Sequence, residues 1–76
     1  MISLNNVLIN EEVYVYRIDC DNSIKRRFLD IGLSKGCKVV PVFKSISGGI
    51  RAYLIRNSLI AIRDRDCEKI MVIKNE

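Results

Sequence analysis

One stretch limits the rest of the chain more than any other: residues 23–36, Ser-Ile-Lys-Arg-Arg-Phe-Leu-Asp-Ile-Gly-Leu-Ser-Lys-Gly. Only here do a start signal, a helical period, a stop signal and a following turn agree. Ser23 is an N-cap residue by type, able to accept a hydrogen bond from a backbone N–H two or three residues on. Ile24, Phe28 and Ile31 fall at i, i+4 and i+7, with Leu29 beside them, and form one apolar stripe. Lys25, Arg26 and Arg27 point mostly the other way. Gly32 stands where a left-handed residue closes a helix, and Leu33 is placed to fold back on Phe28, as in a Schellman closure. Gly36 closes a second tight turn. A helix of about two turns is not stable alone. It has to cover something built from the other residues.

Those other residues read as strands. Val13-Tyr14-Val15-Tyr16-Arg17-Ile18 is β-branched and aromatic, the composition of a strand. Simple alternation turns Val13, Val15 and Arg17 one way and Tyr14, Tyr16 and Ile18 the other, so both faces carry apolar area. Cys20-Asp21-Asn22 is the turn into the helix, where Asp21 suits the positive end of the helix dipole. Residues 37–44 form a second strand. Pro41 has no N–H to give a ladder, so this strand lies at an edge there or is bulged. Residues 45–49 are a Ser/Gly loop, 50–56 a third strand, Asn57-Ser58 a tight connection and 59–63 a fourth strand. Residues 64–69 fit a single helical or 3₁₀ turn capped by Asp64. Residues 70–73 form the last strand, and 74–76 a tail. The opening residues 3–8 are an irregular lead-in whose Leu4, Val7 and Leu8 can cap the core. Five short strands in roughly 65 residues are too little chain for a sandwich, and close instead into a small, strongly bent barrel. The expected fold is mainly β, with one helix inserted after the first strand and a helical turn before the last.

A chain of 76 residues makes one domain, residues 1–76, near the lower size limit for a self-sufficient core. Its 49% hydrophobic share places it among folded rather than disordered chains. No apolar run approaches the roughly 20 residues of a bilayer span. Met1-Ile2-Ser3-Leu4-Asn5-Asn6 lacks the basic start and long apolar stretch of a signal peptide, so a cytoplasmic location is expected. Cys20, Cys37 and Cys67 form no C-x-x-C pair and histidine is absent, so no zinc-type spacing exists. They are expected to be reduced thiols, Cys37 and Cys67 serving as small core residues, with no metal and no cofactor. The net charge of +4 is compatible with nucleic acid or an anionic membrane. Its clusters, Lys25-Arg26-Arg27 and Arg63-Asp64-Arg65, are short and the second is interrupted by acid. No nucleic-acid partner is expected.

Catalytic chemistry finds no foothold. There is no histidine to pair with a nucleophile, and neighbouring carboxylates such as Asp19 with Asp21 or Asp64 with Asp66 fall in turns and caps. Gly48-Gly49 lacks a following Lys-Ser/Thr, which makes it a hairpin turn and not a phosphate cradle. The aromatics Tyr14, Tyr16, Phe28, Phe43 and Tyr53 suit core packing better than base stacking. Ile46 is different, an apolar side chain in a Ser/Gly loop. Either the loop folds over the barrel mouth, or Ile46 contacts a partner protein.

Arg27-Phe28-Leu29-Asp30-Ile31-Gly32-Leu33-Ser34-Lys35-Gly36-Cys37-Lys38-Val39 resembles the FeoA family pattern Arg-Leu-x-x-x-Gly-Leu-x-x-Gly-x-x-Val. The similarity continues in the strand ending at Arg63 and in Cys67-Glu68-Lys69-Ile70-Met71-Val72, which is similar to a closing Ala-x-x-Ile-x-Val. It covers about Leu4 to Val72. The resemblance implies an SH3-like barrel and a role in bacterial ferrous iron uptake, as a small cytosolic partner of FeoB, a membrane transporter with a G-protein domain. It also implies structural roles for Arg27, Phe28, Leu29, Gly32, Leu33, Gly36, Val39, Arg63, Cys67, Ile70 and Val72. The chain departs from the family at Ser45-Ile46-Ser47-Gly48-Gly49, where a Pro-Leu-Gly-Asp-Pro loop is frequent, and at Asn57-Ser58, where a glycine is expected. On this reading the chain is a non-catalytic adaptor. Its partner surface would combine Lys25 and Arg26 with the loop of Ile46, Gly48 and Gly49 and with an exposed edge at Pro41. An RNA-binding barrel and an iron-responsive module are the alternatives, and an exposed edge leaves weak self-association open.

Overall fold

The structure, a computed structural model, describes residues 1–74. Strand β1 (Ile2–Ser3) leads into a 3₁₀ turn (Leu4–Asn6), then β2 (Val13–Ile18), helix α1 (Asn22–Asp30), β3 (Lys38–Lys44), β4 (Ile50–Ile55), β5 (Ser58–Arg63), helix α2 (Asp64–Cys67) and β6 (Ile70–Lys74). The strands make one antiparallel sheet in the order β1-β6-β2-β3-β4-β5. Side chains from β2 through β6 meet in one core with Leu4, Val7, Phe28, Leu33 and Cys67. A sheet whose inner face converges on one cluster must curl, as a small barrel does. The expected strand count is short by one, because β1 spans two residues and carries no readable period.

Helix α1 keeps its expected end and changes its expected start. Its cap is Asp21 rather than Ser23: the Asp21 carboxylate accepts the Ile24 N–H at 3.1 Å, and Ser23 Oγ donates to that same carboxylate at 2.9 Å. At the other end the Leu33 N–H donates to Phe28 O and the Gly32 N–H to Leu29 O, at 2.9 and 3.0 Å. That is the Schellman pair, with Gly32 at φ +92°. Phe28 is buried, with Ile24 and Ile31 packed on the core, but Leu29 is half exposed.

Two bulges re-aim side chains. In β2 the register passes from Val15 opposite Val72 to Arg17 opposite Met71, which leaves Tyr16 as the extra residue. Ile18 therefore joins Val13 and Val15 on the inner face, while Tyr16 and Arg17 both turn outward. Simple alternation had placed Ile18 with Tyr16. In β3 the register shifts between Pro41 and Phe43, so the expected bulge is present; the ladder to β2 covers only Lys38 and Val39. Strand β3 pairs with β2 on one side and β4 on the other. Pro41 is fully buried, its carbonyl accepting the Asn10 N–H at 2.6 Å. It offers no exposed edge.

The β4–β5 hairpin closes through Arg56 (φ 50°) and Asn57 (φ 68°), with Ile55 opposite Ser58. Two positive φ angles make this a type I′ turn. Asn57 takes the left-handed conformation that suits the glycine expected there, but its companion is Arg56, and Ser58 already belongs to β5. Asp64 is the first residue of α2 rather than its cap; its N–H donates to Gly49 O at 2.7 Å. Leu4 and Val7 are buried, whereas Leu8 is exposed and caps nothing. Lys74 ends β6; the rest of the expected tail, Asn75 and Glu76, lies outside the described residues.

Candidate docking surface

The loop at 45–49 is held from both sides. The Ser45 N–H donates to Ile50 O at 2.9 Å, the Gly48 N–H to Ser45 O at 3.1 Å, and Ser45 Oγ to Gly48 O at 2.9 Å. Gly48 and Gly49 adopt φ +81° and +88° with open space around them, so the backbone conformation, not close packing, calls for glycine. Gly49 O is then tied to α2 through Asp64. On this braced hairpin Ile46 is fully exposed. It does not fold over the barrel mouth.

Next to it lies an apolar surface that reading the sequence missed. In β4 and β5, Tyr53, Ile55 and Ile62 point into the core, so Ile50, Leu54 and Leu59 point out. Leu54 stands opposite Leu59, Ala52 opposite Ala61, and Phe43 of β3 opposite Ala52. Phe43, Ser45, Ile50, Ala52, Leu59 and Ala61 line a shallow groove of about 210 Å³. The available signal was that residues 50, 52 and 54 are as apolar as 53 and 55, too apolar for a strand with one wet face.

The cationic half of the expected surface lies elsewhere. Lys25 lines a groove with Tyr16, Arg17, Leu29 and Lys35, and Arg26 is exposed on α1. Ile46 lines neither this groove nor the one beside it. Among the motif residues, Phe28, Leu33, Val39, Cys67, Ile70 and Val72 are core, and Gly32 and Gly36 hold left-handed turns. Arg27 and Arg63 both line a cleft of about 240 Å³ between α1 and β5, where Arg63 Nε lies 3.6 Å from Asp66. Leu29 is not core.

Behind α2, Tyr53 lies beside Cys67 with Arg51 and Asp64 nearby. Burial pushes the Cys67 thiol up to about 11 and also raises the Tyr53 hydroxyl. Tyr53 Oη and Asp64 Oδ1 have no hydrogen-bond partner among the described residues. Cys67 is thus a packed core thiol. Cys20 is raised by burial as well, and Cys37 is only half-buried. No three Cys, Asp or Glu side chains among the described residues come together as a metal-holding group.

A family model described as FeoA domain matches residues 2–74. No curated protein matches the sequence. Among solved structures, the chain is similar to an FeoA-like protein from Clostridium acetobutylicum, at 26% identity and TM-score 0.86, covering 96% of this chain and 85% of that one. It is similar to the FeoA protein of Chlorobium tepidum at 21% identity and TM-score 0.88, over 93% and 68% of the two chains. The zinc complex of Stenotrophomonas maltophilia FeoA matches at 21% identity and TM-score 0.81, over 96% and 91%. That protein is described as a prokaryotic SH3 domain protein and a candidate ferrous iron transport activating factor. The fold here is the same SH3-like barrel.

Proposed function

The chain belongs to the FeoA family, and from that membership we propose that it is a non-catalytic adaptor. It binds the cytosolic part of a FeoB-type ferrous iron transporter and modulates it by protein–protein contact. The observation that carries this reading is Ile46, fully exposed on a hairpin braced by three hydrogen bonds and by α2. A lone exposed isoleucine on a flexible loop would mean little. Held on a hydrogen-bonded hairpin that leads into the groove lined by Phe43, Ser45, Ile50, Ala52, Leu59 and Ala61, it adds to exposed apolar surface of the kind that marks protein contacts. Arg26, on α1, supplies charge at a second point of attachment, and the same role is assigned to Lys25. The test is capture of the detergent-extracted transporter on the immobilised protein, together with ferrous iron uptake by cells. Ile46→Asp combined with Arg26→Glu abolishes both without lowering Tm. Unchanged capture and uptake in a folded double variant refutes the assignment.

A further inference from the structure

The geometry points to a binding track on the face around Tyr16 that takes an extended acidic segment carrying apolar side chains, supplied by a partner protein. It rests on the adaptor reading and adds a second site, separate from the Ile46 patch. The β2 bulge is what builds it: by turning Tyr16 and Arg17 to the same side, it sets an aromatic ring and a guanidinium side by side on the outer surface. Two grooves, of about 440 and 530 Å³, meet at this ring and share Val15, Tyr16 and Lys35. Leu29 and Lys25 lie along one, Ile73 and Lys74 along the other. Tyr16, Leu29 and Ile73 are each more than a third exposed, so apolar surface runs the length of the track.

Charge selects the occupant. Every ionisable side chain lining the two grooves, tyrosines aside, is Lys or Arg; no carboxylate lines either. Arg17 is neutralised by Asp19 at 2.8 Å and Lys74 by Glu11 at 2.8 Å. Lys25 and Lys35 are not ion-paired among the described residues, and Lys35 Nζ stands 5.6 Å from the Tyr16 ring centroid. Two unpaired ammonium groups flanking an aromatic, apolar floor fit two carboxylates spaced along a peptide with an apolar side chain between them. Nucleic acid fits less well, since tight binding to a phosphate backbone uses roughly six to ten contacts. A lipid surface recruits clusters of about four to eight Lys or Arg on a convex face, not two in a groove.

The test is an NMR titration of the ¹⁵N-labelled chain with a glutamate–tyrosine random copolymer. Polyglutamate, single-stranded RNA and phosphatidylserine vesicles form separate arms. The copolymer shifts amides around Tyr16, Lys25, Leu29, Lys35 and Ile73, and binds more tightly than polyglutamate. Lys25→Glu with Lys35→Glu weakens it by roughly tenfold or more, while Lys44→Glu, outside both grooves, changes it less than about twofold. Shifts centred elsewhere, equal binding by the charge-reversed variant, or preference for RNA or vesicles overturns the track. Transporter capture is measured on the same variants. Capture by the wild type with no copolymer binding ends the track and leaves the adaptor reading. Copolymer binding in the track without capture ends the adaptor reading alone.

Discussion

Replacing Gly32 by alanine tests the closure that makes α1 possible, and Gly36 supplies its control. Both glycines sit in the left-handed region, at φ +92° and +87°. An L-residue there costs about 1–2 kcal/mol, which outweighs what the alanine gains by restricting the unfolded chain. The surroundings differ. A Cβ on Gly36 meets nothing within 4 Å, but one on Gly32 would stand 2.6 Å from Arg56 Cδ and 2.9 Å from Arg56 Nε. Arg56 must then swing away and release its 3.2 Å hydrogen bond to Gly32 O. Because that arginine is exposed and flexible, the displacement adds only about 0.5–1 kcal/mol. Gly36→Ala should therefore destabilise by about 1–2 kcal/mol and Gly32→Ala by about 0.5–1 kcal/mol more, each kcal/mol lowering Tm by roughly 4–8 °C in a domain of this size. Urea unfolding followed by circular dichroism reads both. A double-mutant cycle with Arg56→Ala isolates the added term: in that background the two glycine variants should differ by less than about 0.3 kcal/mol. An excess at Gly32 that survives without the Arg56 side chain would refute the reasoning, as would a Gly32→Ala less damaging than Gly36→Ala.

Two further expectations concern stability. The Tyr53 hydroxyl is buried against the Cys67 thiol, a weak partner, so Tyr53→Phe gives up only that contact and should change stability by less than about 1 kcal/mol; a larger fall in the urea midpoint would mean the hydroxyl makes a full hydrogen bond. The Asp21 carboxyl is held below its ordinary value of 3.8, first by the Ile24 N–H and then by the Ser23 hydroxyl. A depressed folded value contributes stability that is present above the unfolded value and lost as pH falls through the folded one. The wild type should therefore lose more stability on acidification through that window than Asp21→Asn, whose side chain still caps, and Asp21→Ala should lower Tm at neutral pH more than Ser23→Ala. Parallel pH curves for wild type and Asp21→Asn would show that Asp21 is not the cap.

What could be read from the sequence was whatever neighbouring residues decide. The helix end was legible because Gly32 and Leu33 carry their signal within a single turn. The helix start was ambiguous, since Asp21 and Ser23 are both capping types. The choice falls to Asp21 because its extended backbone, φ −69° and ψ 168°, aims the carboxylate at the Ile24 N–H. The bulge at Pro41 could be anticipated from a missing N–H, though not that Pro41 would be buried. Nothing in the run from Val13 to Ile18 marks its bulge, because the residue types are the same whether or not the ladder slips. Ile46 stood out against its Ser/Gly neighbours. The Tyr16 track did not, because its residues come from β2, α1, the turn at Lys35 and β6, which only folding brings together.

The outer face of β4 and β5 bears on the function through what stability does not ask of it. The hairpin fills the core with Tyr53, Ile55 and Ile62 on its inner side. Leu54 and Leu59, directly opposite each other and about half exposed, add little to that core. A cross-strand pair of threonines would hold the ladder nearly as well in water. Strand β5 also ends the sheet, the position where exposed apolar side chains invite association. The chain moderates that risk in two ways. Arg56 and Arg63 bracket the strand, and beside it Ile24, Arg27 and Ile31 line a cleft with Ile60 and Ile62. The leucine pair, with Phe43, Ile50 and Ile46, stays uncovered. An apolar surface that the core does not need, left open beside a strand bracketed by arginines, is the surface on which the proposed adaptor contact would be made.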